Sequence, residues 1–147
     1  MPVFVNNYEI TDDQVHSEMK NHPAASLNEA RGEAARALII RKLLLDEAVE
    51  REIISKDELE ELDNEKEENV IETLLEDVIQ LPDADEIVCR RYYEMHQSRF
   101  KDHKTGDVLP FNMVREHIRV FIEDKSHQAA FTAYMDSLMD KAKIVGI

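Results

Sequence analysis

Tryptophan is absent from this 147-residue chain, cysteine occurs once, glycine three times and proline four times. The lone cysteine, Cys89, excludes an internal disulfide. So little glycine and proline argues against an all-β protein, which needs many turns, and points to helices. No apolar run approaches the roughly 20 residues that span a bilayer. Positive charge is the scarcer sign, with 18 Lys and Arg against 32 Asp and Glu, a formal net charge of −14. That balance argues against nucleic acid, whose phosphates need clustered Lys and Arg, and equally against an anionic membrane surface. The opening Met1-Pro2-Val3-Phe4-Val5-Asn6-Asn7 has neither the basic nor the apolar region of a signal peptide. A cytoplasmic protein is therefore expected, or a periplasmic one if a signal peptide has been removed.

What the chain does contain is helix starts. Thr11-Asp12-Asp13-Gln14, Ser26-Leu27-Asn28-Glu29 and Ser55-Lys56-Asp57-Glu58 have capping-box spacing. In that box the first side chain takes an orphan amide and the fourth residue reaches back. Asp83-Ala84-Asp85-Glu86 is a looser version, and Pro110 suits a first helical turn. These signals predict helices near residues 11–21, 26–53, 56–80, 84–99 and 110–141, the last with a possible break at Lys125-Ser126. An interruption of the apolar pattern from Asp63 to Asn69 marks a kink or hinge in the third.

The helices differ in how much of their surface must be buried. Val88, Tyr92 and Met95 form one stripe, and Phe111, Val114, Ile118 and Ile122 another, continued by Phe131, Tyr134 and Leu138. In the second helix Leu38, Ile39, Ile40, Leu43, Leu44 and Leu45 wrap most of the circumference, with only Arg41 and Lys42 between them. A girdle that wide needs cover on several sides, from the rest of the chain or from a second copy. A homodimer is expected on this ground. Val3-Phe4-Val5 and Ile144-Val145-Gly146-Ile147 are β-branched and too short to stand alone, so they are expected to pair with each other.

The block Tyr92-Tyr93-Glu94-Met95-His96-Gln97-Ser98-Arg99-Phe100 is followed, after only Lys101-Asp102-His103-Lys104-Thr105-Gly106-Asp107, by a second block. It opens Val108-Leu109-Pro110-Phe111 and closes Ala142-Lys143-Ile144-Val145-Gly146-Ile147. Together with Val5-Asn6-Asn7-Tyr8-Glu9-Ile10 and the Ala37 to Ala48 helix, these blocks resemble parvulin-type chaperones, the SurA-, PrsA- and NifM-like proteins. The order matches that family's N-terminal helical region and the segment after its isomerase domain. The resemblance implies one all-α chaperone-like domain over residues 1–147. Its parts would be an N-terminal segment 1–100, a bridge 101–107 in place of the isomerase domain, and a C-terminal segment 108–147. A parvulin active site needs a β-rich domain of roughly a hundred residues, which seven residues cannot supply. Prolyl isomerase activity is therefore not expected, and no catalytic residue is assigned.

Other chemistry finds little support. Cys89 and His96 share a helix face near His103, and thiolate with imidazole suits a transition metal. No second ligand has conventional spacing, so a core cysteine beside an interfacial histidine is the simpler reading. Phosphate loops, nucleophile elbows and zinc-binding His-Glu helices are missing from the sequence. Residues 55–80 hold eleven Asp or Glu against two Lys, which reads as a solvated face beside apolar surface.

The expected function is ATP-independent binding of unfolded or immature polypeptide, with no cofactor and no metal. Met135, Met139, Leu74, Leu75, Val78 and Ile79 are the candidate client-binding residues, in a cradle lined by apolar side chains and rimmed by acids. The alternatives are a non-catalytic dimeric adaptor, and a metal- or redox-responsive regulator built on Cys89.

Overall fold

The computed structural model describes residues 2–146 and is mostly helical, with one small sheet. Strand β1 (Val3–Val5) turns back into β2 (Tyr8–Ile10), and helices α1 (Asp12–Glu18) and α2 (Leu27–Glu50) follow. Next come α3 (Lys56–Glu60), α4 (Asn64–Val78), α5 (Glu86–Met95), α6 (Phe111–Lys141) and β3 (Ile144–Val145). Single 3-10 turns follow α1 and α5, at Met19–Asn21 and Gln97–Phe100.

Local chemistry places the helix starts. Thr11 forms a reciprocal box, its Oγ1 accepting from the Gln14 amide at 3.2 Å while Gln14 Oε1 accepts from the Thr11 amide at 2.8 Å. Ser26 and Ser55 supply only the first half of theirs, each accepting an amide three residues on at 3.1 Å. Asp85, rather than Asp83, caps α5 through the Val88 amide at 2.8 Å. Asp63 accepts from the Lys66 amide at 2.9 Å. This cap divides the predicted 56–80 helix into α3 and α4, and confines the interruption to Glu61–Asp63.

Helix ends differ from the sequence expectation for equally local reasons. α2 stops at Glu50 because Glu52 turns left-handed (φ 62°) and the Ile53 amide closes back on the Ala48 carbonyl at 2.9 Å. α6 runs through Lys125 and Ser126 without a break, as a segment free of Gly and Pro can.

The chain ends do pair. β1 lies centrally in a three-stranded antiparallel sheet of order β2-β1-β3, with Phe4 opposite Val145 and Val5 opposite Ile144. Asn6 clips the seam, donating its amide to the Lys143 carbonyl at 2.8 Å while its side chain accepts from the Lys143 amide at 2.9 Å. Beyond β3, Gly146 (φ 98°) sits where a Cβ would come within 2.5 Å of the Pro2 carbonyl oxygen.

Two compact units result. The first comprises residues up to Val78 and from Ala133 onward, and the second is Ile79–Thr132. In the first, α2 packs against α1, α4 and the β1–β2 hairpin. Ile39, Leu43, Leu44, Leu45 and Ala48 are buried there, and Leu38 and Ile40 are half-buried. The apolar girdle is thus covered within a single chain. The width of the girdle, the reason for expecting a homodimer, does not require a second copy.

The second unit has its own core of Cys89, Phe100, Phe111, Val114 and Ile118, with Tyr92, Tyr93 and Ile122 against it. The 101–107 bridge lies inside this unit as a closed turn. The Asp102 amide donates to the Asp107 carbonyl at 2.8 Å, the Gly106 amide to the Asp102 carbonyl at 2.8 Å, and the Leu109 amide to the Phe100 carbonyl at 2.7 Å. Gly106 takes φ 76°, which its lack of a side chain permits.

Candidate functional site

A cleft of about 720 Å³ opens in the first unit. One face of α2 forms its floor. Leu38, Arg41, Lys42, Leu45, Asp46, Val49 and Glu50 recur at three- and four-residue spacing and so share a side of the helix. β2 contributes Tyr8 and Ile10, α1 Gln14, α3 Lys56, Leu59 and Glu60, and the start of α4 Asn64 and Glu67. The apolar lining is therefore interleaved with charge.

The two cations within the girdle are fixed by internal partners. Arg41 Nη2 donates to the Asn64 carbonyl at 3.2 Å and to Glu67 Oε1 at 3.3 Å, tying α2 to the start of α4. Lys42 Nζ lies 2.9 Å from Asp46 Oδ1 and 4.3 Å from the centre of the Tyr8 ring. The ring face attracts the ammonium while Tyr8 stays at the mouth, 45% exposed.

The six candidate client-binding residues lie elsewhere. Leu74 has no exposed surface and Met135 is 4% exposed, so both are core and neither lines an open cradle. Leu75, Val78, Ile79 and Met139 are half-buried. Of these, Ile79 borders a groove of about 360 Å³ in the second unit, shared with Leu81, Pro82, Val88, Ile122 and His127. There Glu123 holds the segment before α5, accepting from the Ala84 amide at 2.9 Å. From the girdle, Leu38 and Leu45 reach the first-unit cleft.

Tyr8, Ile10, Val49 and Leu59 were missed as site residues. For Tyr8 and Ile10 the missing piece was β2, whose signal was Asn6-Asn7, both at positive φ (49° and 68°), the conformation of a two-residue hairpin turn, whereas Val49 and Leu59 lie on helices predicted from the sequence.

Cys89 sits 2% exposed in the second core, its Sγ 3.9 Å from the Ala84 carbonyl oxygen. Burial raises the thiol pKa, and the nearby carboxylates of Asp85 and Glu123 push the same way. Such a thiol is a poor nucleophile and a reluctant ligand. His96 stacks on Tyr92 with ring centres 4.2 Å apart and sets Nδ1 3.0 Å from the Tyr92 carbonyl oxygen. Among the described residues, no group of three or more His, Cys, Asp or Glu side chains is placed to hold a metal ion. Compared with known protein families, curated proteins and solved structures, the chain finds no match.

Proposed function

We propose that this chain is an ATP-independent polypeptide-binding module, a chaperone or assembly factor of parvulin-type kind that lacks prolyl isomerase activity. The first-unit cleft carries the reading. Its 720 Å³ is within the range of ligand pockets and admits several side chains at once. Tyr8, Leu38, Val49 and Leu59 offer apolar surface to an unfolded segment, over a buried floor of Ile10 and Leu45. Burial of that surface drives association without an energy source. The net charge of −14 keeps both the protein and a loaded complex soluble.

The test is aggregation of an unfolded model substrate without ATP. Equimolar protein should slow it, and Leu59→Ser, which removes apolar surface from the cleft, should slow it less. Folded wild-type protein that leaves aggregation unchanged would end the reading. A protease-coupled peptide assay should show isomerisation at the uncatalysed rate, tens to hundreds of seconds.

A dimeric adaptor is the second reading. It draws on large apolar side chains of the second unit that stand in solvent, Ile87 at 70%, Met95 at 72% and Met113 at 71% exposed. Light scattering that finds a stable dimer, with no effect on aggregation, would favour it.

A further inference from the structure

We infer that the first-unit cleft selects basic amphipathic polypeptide, segments in which Lys or Arg accompany apolar side chains. This rests on the polypeptide-binding reading and adds the chemistry of the ligand. Both cations of the α2 face already have partners, so the charge left over in the cleft decides the preference. Arg41 is occupied by Glu67 and the Asn64 carbonyl, and Lys42 by Asp46 and the Tyr8 ring. An anionic ligand would have to compete with those partners for either cation.

Of the remaining charged groups lining the cleft, Glu50, Glu60 and Lys56 are exposed and make no ion pair among the described residues. Glu50 comes from the end of α2 and Glu60 from α3, so carboxylates stand on two of the elements that frame the opening. α3 surrounds its one lysine with Asp57, Glu58, Glu60 and, just beyond, Glu61. A basic segment entering this cleft gains partners for its ammonium or guanidinium groups while its apolar side chains meet Tyr8, Leu38 and Leu59. An acidic segment gains only the Lys56 head and meets uncompensated like charge. A second copy of this chain, itself at −14, is repelled in the same way.

Two labelled peptides with identical leucine spacing, one with Lys and one with Glu at the polar positions, test this by fluorescence anisotropy on the full chain. The Lys peptide should bind about tenfold more tightly at low salt, as two exposed ion pairs permit. The preference should shrink as the screening length falls to about 10 Å near 0.1 M salt and below that at higher salt. Glu50→Gln with Glu60→Gln should reduce it to about threefold or less. Glu94→Gln with Asp124→Asn makes the same charge change at exposed positions of the second unit, and should leave the preference standing. Equal affinity for the two peptides overturns the inference but leaves polypeptide binding in place. Equal loss from the two double variants also overturns it, because diffuse acidity would then explain the preference. Failure of both peptides to bind removes the polypeptide-binding reading with it.

Discussion

Leu74 is the residue at which sequence expectation and tertiary placement diverge most sharply, so its truncation discriminates between them. It lies within α4, which packs on α2, and has no exposed surface. Leu74→Ala removes three carbons at about 0.8 kcal/mol each, a transfer loss of roughly 2.4 kcal/mol. The cavity left behind raises the cost to about 3–4 kcal/mol, within the range of buried leucine truncations. For a chain of this length each kcal/mol lowers the midpoint by about 2–4 °C, so a drop of roughly 6–16 °C is expected. Urea and thermal unfolding followed by circular dichroism measure it, with the half-buried neighbour Leu75→Ala as comparator at about half the loss or less. A cost below about 1 kcal/mol would refute the core assignment. So would unchanged stability combined with lost suppression of aggregation, which would return Leu74 to a client-facing surface.

Met135→Glu places a carboxyl at a buried site and should cost about 3 kcal/mol or more at neutral pH. Burial raises the introduced carboxyl above its unfolded value of about 4.3, so the penalty grows as pH rises through that value and fades below it. A pH-independent penalty would argue that the site is wet. Glu52 holds a left-handed conformation (φ 62°) at the end of α2, where a side chain costs about 1 kcal/mol, and Glu52→Gly should therefore stabilise by about that amount. Lower stability in the glycine variant would show that the Glu52 side chain makes a contact of its own. Cys89, buried and with its thiol pKa raised, should react with a thiol reagent about a hundredfold more slowly in the native than in the urea-unfolded protein. Comparable rates would mean that the second core opens readily.

Much of the secondary structure was legible in the sequence because its causes are local. Thr11, Ser26 and Ser55 announce helices through hydrogen bonds three residues long. The pairing of Val3–Val5 with Ile144–Val145 followed from two short β-branched ends that each lacked a partner. β2 was overlooked because Tyr8-Glu9-Ile10 is brief, and the turn that makes it a strand depends on two asparagines tolerating positive φ.

The sequence by itself determined which helix must be buried, since a girdle from Leu38 to Leu45 has no stable exposed state in water. What covers that girdle was a tertiary matter, decided by α1, α4 and the hairpin packing on α2. The same packing made Leu74 core and left the adjacent Leu75 half-exposed, a distinction of one helical step that periodicity does not resolve. It also made the cleft, by bringing Tyr8 to Lys42 and Glu67 to Arg41, 26 residues away in the chain. Contacts at that separation leave no local pattern. They exist only because burying apolar surface forces distant segments together, and the charges between them must then find partners or face solvent.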